Sequence, residues 1–164
     1  MNNPITEFYA WFKENANHLS IDKFPLSEEW LDAISDKIHQ IDEKIWFEIG
    51  GDPKSNKTEF IFTESGDISK IEVVKSIVLQ APKLEMWTFI ALKPPQSPEF
   101  ITEWEGVKVE PRKVTITLMK PKGCDLSYGI RAEWPNFEIN QKDITNALYI
   151  AVDTILGEEK SARY

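Results

Sequence analysis

The sequence predicts an α+β domain: a mainly antiparallel sheet of about five strands with an N-terminal helical hairpin, a central helix and a C-terminal helix. Three observations carry this expectation. The stretch from Lys57 to Pro94, KTEFIFTESGDISKIEVVKSIVLQAPKLEMWTFIALKP, reads as a strand, a turn, a helix and a strand. Two later runs, Lys113 to Met119 and Asp125 to Glu133, alternate with the two-residue period of antiparallel strands that have one wet side. Both ends of the chain repeat apolar residues at helical spacing.

Taken in order, Asn3 and Pro4 supply a cap and a first helical residue, and Ile5, Phe8, Phe12, Ala16 and Leu19 form the buried stripe of the helix that follows. Residues 21–26, with Phe24-Pro25, make an apolar connector expected to pack down. Ser27 caps a second helix. Glu28 and Glu29 lie in its positive first turn, Leu31, Ile34, Ile38 and Ile41 form its stripe, and Asp32 and Asp36 fall opposite. Ile45 to Gly50 and Glu59 to Thr63 are short strands joined by Gly51 to Asn56, which holds turn formers but is long for a tight hairpin. Ser65-Gly66 breaks the second strand. Ser69 precedes Glu72 by three residues, the spacing of a reciprocal cap, with Ile68 and Val73 as the accompanying staple. Ala81-Pro82 ends that helix, and Leu84 to Leu92 resumes as a strand. Pro94, Pro95 and Pro98 mark a stiff surface loop.

Gly106 to Val109 holds one further short strand. In the last hairpin, Pro121-Lys122-Gly123 turns the chain, and Val114, Ile116, Tyr128 and Ile130 are expected to face the helices. Asn140 caps a final helix with Ile144, Leu148, Ala151 and Ile155 buried and Gly157 as its stop, leaving 158–164 as a tail. The whole of 1–164 is expected to form a single domain.

Composition narrows the function. At 164 residues with 41% hydrophobic content and 12% aromatics, the chain is expected to bury a core built largely from rings. The net charge of −8 opposes binding to phosphate backbones, so nucleic acid is not an expected partner, whereas a basic protein is. No run approaches the ~20 apolar residues of a membrane span, and MNNPITEFYAWF lacks the basic start and apolar core of a secretory signal. A cytoplasmic protein without membrane attachment is the expectation.

Motifs for chemistry are sparse. Cys124 is the only cysteine, and His18 and His39 both fall in the N-terminal helices, so neither a thiol–imidazole pair nor a metal cluster is expected. The seven glycines form no phosphate-cradling loop, so no cofactor is expected. Glu48 and Glu59, on paired strands, are the nearest approach to an acid/base pair, but glutamates on a wet strand face are ordinary. The loop beginning at Asp52 has proline and lysine where a calcium site needs oxygen ligands.

Aromatic and charged residues in the C-terminal half make the better binding candidates. Trp104, flanked by Glu103 and Glu105, and Trp134, following Arg131 and Glu133, lie in or beside irregular segments, together with Phe137. Tryptophan and arginine are enriched where binding energy concentrates. Trp104, Arg131, Glu133 and Trp134 are therefore the candidate binding residues, with loop packing as their structural alternative.

FEIG around Phe47, EFIFTESGD at Glu59 to Asp67, VVKSIVLQAPKLEMWTFIALKP and the later Leu156-Gly157-Glu158 resemble a pattern shared by a family of uncharacterised bacterial proteins. The resemblance covers the middle third of the chain and that tail. Its motifs are structural, so it implies a bacterial cytoplasmic domain of common fold and transfers no functional residue.

The functional expectation is a non-enzymatic interaction module, of which an acidic immunity protein that captures a basic toxin is one form. The alternative is a small-molecule-binding or hydrolytic domain using carboxylates on an open sheet face.

Overall fold

Asn3 caps the first helix, α1 (Pro4–Leu19), by accepting the Ile5 N–H at 3.1 Å, with Pro4 in the first turn. The computed structural model describes residues 3–51, 57–120, 129–133 and 141–163, and the chain divides into two units, Met1–Lys93 and Pro94–Tyr164.

In the first unit α1 is followed by a 3-10 turn at Ile21–Lys23 and by α2 (Glu28–His39). Strand β1 (Trp46–Gly50) runs antiparallel to β2 (Thr58–Thr63), with Phe47 opposite Phe62 and Ile49 opposite Phe60. A 3-10 turn and α3 (Ile71–Leu79) carry the chain to β3 (Trp87–Ala91), which lies parallel to β2. A parallel neighbour needs a crossover of a dozen or so residues, and the segment containing α3 supplies it.

The core of this unit is aromatic. Phe8 and Phe12 of α1 meet Phe60 and Phe62 of β2 and Trp87 and Phe89 of β3, with Phe12 edge-on to Trp87 at 4.8 Å between centroids. Edge-to-face contacts of this kind add roughly 0.5–1.5 kcal/mol each to the burial itself. Tyr9, which the helical stripe did not include, is also buried and donates its hydroxyl to the Ile77 carbonyl oxygen at 2.9 Å.

The start of α3 corrects one expectation. Ser69 does not cap the helix. Asp67 caps the preceding 3-10 turn, accepting both the Ser69 N–H at 3.1 Å and the Ser69 hydroxyl at 2.6 Å, and α3 begins after Lys70 with no side-chain cap. Glu72 turns instead to Lys75 at 3.5 Å. Asp67 thus takes the Ser69 N–H that the Glu72 carboxylate was expected to accept, and the Ser69 hydroxyl, expected to accept the Glu72 N–H, donates to Asp67 in a charge-assisted hydrogen bond.

In the second unit β4 (Thr102–Trp104) and β5 (Val107–Val109) form a hairpin closed by Glu105 and Gly106, both at positive φ (47° and 79°). That pair of left-handed residues matches the twist of the flanking strands. The hairpin packs on α4 (Gln141–Leu156), where Val107 and Val109 join Ile144, Ala147 and Ala151 in a core flanked by Val114 and Leu148. Ala147 is fully buried, although the expected stripe ran through Leu148. Gly157, at φ +75°, closes α4, and the expected tail is helical as α5 (Glu158–Arg163).

Strands β6 (Thr115–Met119) and β7 (Gly129–Glu133) pair antiparallel, with Ile116 opposite Ala132 and Leu118 opposite Ile130. Val114 packs on the core beside α4, but Ile116 is 43% exposed and does not face a helix as expected. Tyr128, the turn at 121–123 and the Asn140 cap lie outside the described residues.

Mixed helix and strand is thus the architecture, but the sheet differs from one of about five mainly antiparallel strands. The described strands form three separate sheets, ordered β1-β2-β3, β4-β5 and β6-β7, and the largest contains a parallel pair. Strand periodicity reports which residues share a face, not which strand lies alongside, so alternation alone does not distinguish one sheet from several.

Candidate functional site

Entry to β1 is set by charge. In the turn before the strand, Asp42 accepts the Lys44 N–H at 3.0 Å and pairs with Lys70 at 2.5 Å, while Lys44 reaches Asp67 at 3.1 Å. The Lys70 hydrogen bond holds the Asp42 carboxyl below the usual carboxylate range. Asp67 is held at about 2, chiefly by the Ser69 hydroxyl and then by Lys44. Ile45, fully buried, anchors the end of the turn.

Beside this anchor α2 and β1 leave an open cleft of about 360 Å³, lined by Phe24, Leu31, Asp32, Ser35, Trp46, Phe47 and Ile49. Helical spacing explains the α2 contribution, since Leu31 and Ser35 are four apart and lie along one line of the helix. Phe24 reaches the cleft from the connector, whose Ile21 N–H is held by the Thr58 hydroxyl of β2 at 2.9 Å. Phe47 forms the floor and stacks on buried Phe60 at 5.4 Å and 12°. Phe24, Leu31 and Trp46 remain 39%, 41% and 50% exposed, so three large apolar side chains of one cleft face water. The His39 ring stands edge-on to Trp46 at 5.1 Å, and its buried Nε2 has no hydrogen-bond partner among the described residues.

An acidic column borders the cleft. Glu28, Asp32 and Asp36 recur every four residues along α2, all exposed and with no ion pair among the described residues. From Asp22 to Ile49 eight acidic residues (Asp22, Glu28, Glu29, Asp32, Asp36, Asp42, Glu43, Glu48) face three lysines (Lys23, Lys37, Lys44). More than half of the net charge of −8 therefore belongs to the segment that builds the cleft. Strand β1 is also the outer strand of its sheet: it pairs with β2 alone among the described strands. An outer strand presents a row of backbone donors and acceptors that a further strand can pair with.

The residues expected from sequence to bind lie in the second unit. Trp104 closes β4 beside the Glu105-Gly106 turn and is 40% exposed. Arg131 and Glu133 project from the same side of β7 and pair at 3.1 Å, both largely exposed. Trp134, Phe137 and Cys124 lie outside the described residues. Glu48 and Glu59 are not directly opposite: Glu48 faces Ile61, Glu59 faces Gly50, and Glu48 pairs with Lys93 at 2.6 Å. His18 stacks on Trp30 at 5.6 Å. Among the described residues no three His, Cys, Asp or Glu side chains are grouped to hold a metal, and no helix is long and apolar enough to cross a membrane.

The cleft itself escaped the sequence reading because Leu31 fitted the helical stripe and Phe24 fitted a packed connector. Trp46-Phe47 held the signal. Adjacent strand residues point to opposite faces, so two neighbouring rings in β1 cannot both enter one core.

Compared with known families, with curated proteins and with solved structures, the chain shows no match.

Proposed function

We propose that this chain is a non-enzymatic protein-binding module of the bacterial cytoplasm that holds a basic partner at the cleft between α2 and β1. The observation that carries this reading is the coincidence of exposed Phe24, Leu31 and Trp46 with the Glu28–Asp32–Asp36 column in one surface. Apolar anchors supply affinity in a desolvated pocket, and a rim of one sign steers a partner of the other. An immunity protein that neutralises a basic toxin is one form such a module takes. The carboxylate-based alternative draws less support, since among the described residues Glu48 pairs with Lys93 and Arg131 with Glu133.

The test is affinity capture from a native lysate with matched variants. A basic protein retained by the wild type should be lost with Leu31→Arg and weakened with Asp32→Lys, while Arg131→Ala and Trp134→Ala retain it. Loss with Arg131→Ala or Trp134→Ala and retention with Leu31→Arg would move the site to the second unit and reject the cleft.

A further inference from the structure

We infer that the cleft takes its partner as an added β-strand: an extended segment of alternating apolar and basic residues pairs with the outer edge of β1. This inference rests on the protein-binding reading above and specifies its occupant. Three features of the same surface lead to it.

The first is the edge. β1 is WFEIG, five residues long, and no strand covers its outer side among the described residues. Proteins usually protect such an edge with lysine, proline or a bulge. β1 contains none of these, and its only charge is Glu48. The second is the pair of faces that flank the edge. A strand laid against β1 alternates its side chains as β1 does. One set would follow Phe47 and Ile49 into the cleft, against Leu31 and Phe24. The other would lie beside the exposed ring of Trp46, which also lines the cleft and suits lysine or arginine, whereas Glu48 is already paired with Lys93 at 2.6 Å. The third is the sign of the charge. The segment Asp22 to Ile49 is strongly acidic, which opposes pairing of β1 with β1 of a second copy and favours a basic strand. Strand addition then divides the labour: main-chain hydrogen bonds provide affinity and the alternating faces provide selectivity.

The probe is a capped peptide of about seven residues, the length of an ordinary strand, alternating lysine and valine and titrated against the whole chain by calorimetry and tryptophan fluorescence. Two further peptides carry N-methyl groups, one on every valine nitrogen and the other on every lysine nitrogen. Alternate amides of a strand point to opposite edges, so only one of these peptides loses the hydrogen bonds to β1. The parent peptide should bind, one methylated form should weaken by about tenfold or more, as expected for losing more than one hydrogen bond, and the other should bind like the parent. Leu31→Arg should abolish binding, and Asp32→Lys should weaken it by about threefold, a typical effect for a rim charge.

The outcomes separate the two readings. Equal binding of both methylated peptides, or equal loss by both, overturns strand addition and leaves the cleft as a binding site, provided Leu31→Arg still abolishes binding. A methylation difference that persists in Leu31→Arg places the strand on another edge and rejects cleft and inference together. Absence of parent-peptide binding at about 1 mM, an affinity near −4 kcal/mol, rejects both. A wild-type dimer that the peptide dissociates would identify a second copy as the natural occupant and overturn the inference of a basic partner.

Discussion

Phe47 and Phe60 stack across β1 and β2 at 5.4 Å with their planes 12° apart, one ring lining the cleft and the other fully buried in the core. The floor of the cleft is therefore continuous with the core, and its walls are not. Phe47→Ala should destabilise by about 1–3 kcal/mol, below the roughly 3–5 kcal/mol typical of a fully buried phenylalanine, because Phe47 is only part-buried. Leu31→Ser, on an exposed wall, should stay within about 0.5 kcal/mol of wild type. Urea unfolding of both variants checks the contrast; equal losses would mean that the wall is structural.

The Asp67 cap makes a second prediction. Asp67→Ala removes the acceptor for the Ser69 N–H and hydroxyl and the partner of Lys44. Ser69→Ala removes only a hydroxyl that donates to Asp67. The urea midpoint should fall clearly for Asp67→Ala and less for Ser69→Ala. The opposite order would restore Ser69 as the cap.

Acid should weaken the fold through the same network. Asp67 is held at about 2, below its ordinary 3.8, and Asp42 is also lowered by its Lys70 hydrogen bond. A carboxyl with a depressed folded-state pKa contributes stability that is complete above its unfolded value and is lost as pH falls through the folded one. For Asp67 that window runs from near pH 3.8 down to about 2. Thermal midpoints measured across the window should drop for wild type and drop less for Asp67→Asn. Parallel curves would remove Asp67 from the account.

Tyr9 joins α1 to the last turn of α3. Its hydroxyl donates to the Ile77 carbonyl oxygen at 2.9 Å, and burial pushes the phenol above its ordinary pKa. Tyr9→Phe keeps the edge-on contact with Phe89 at 5.2 Å and loses only the hydrogen bond. The expected cost is about 0.5–1.5 kcal/mol, since Ile77 oxygen still accepts from the Gln80 N–H. A denaturation midpoint equal to wild type would show that water replaces the hydroxyl without penalty.

Local signals were legible where one residue type has one physical use. Asn3-Pro4 began α1 because proline presets its φ and asparagine accepts an amide. In β2 and β3 the rings Phe60, Phe62 and Trp87 became the centre of the core, because strand alternation sends them to the face that α1 covers. Alternation gave β6 and β7 as an antiparallel pair. Ser69 and Asp67 mark where such reading stops: both suit a cap, and in the folded backbone it is Asp67 that accepts, from the Ser69 N–H and hydroxyl.

What the chain determined alone was the kind and order of most of its elements, β4 and α5 excepted, since propensity, capping and periodicity act within a few residues. Neighbour relations were decided only in three dimensions. Whether β3 joined β2 parallel, whether β4 and β5 closed on themselves, and whether Leu31 was covered all depend on contacts between segments distant in sequence. The cleft belongs to that second class. Leu31 obeys the helical period as well as Ile34 and Ile38 do, yet those two are fully buried and Leu31 is not, because β1 ends the sheet and nothing beyond it among the described strands continues the core.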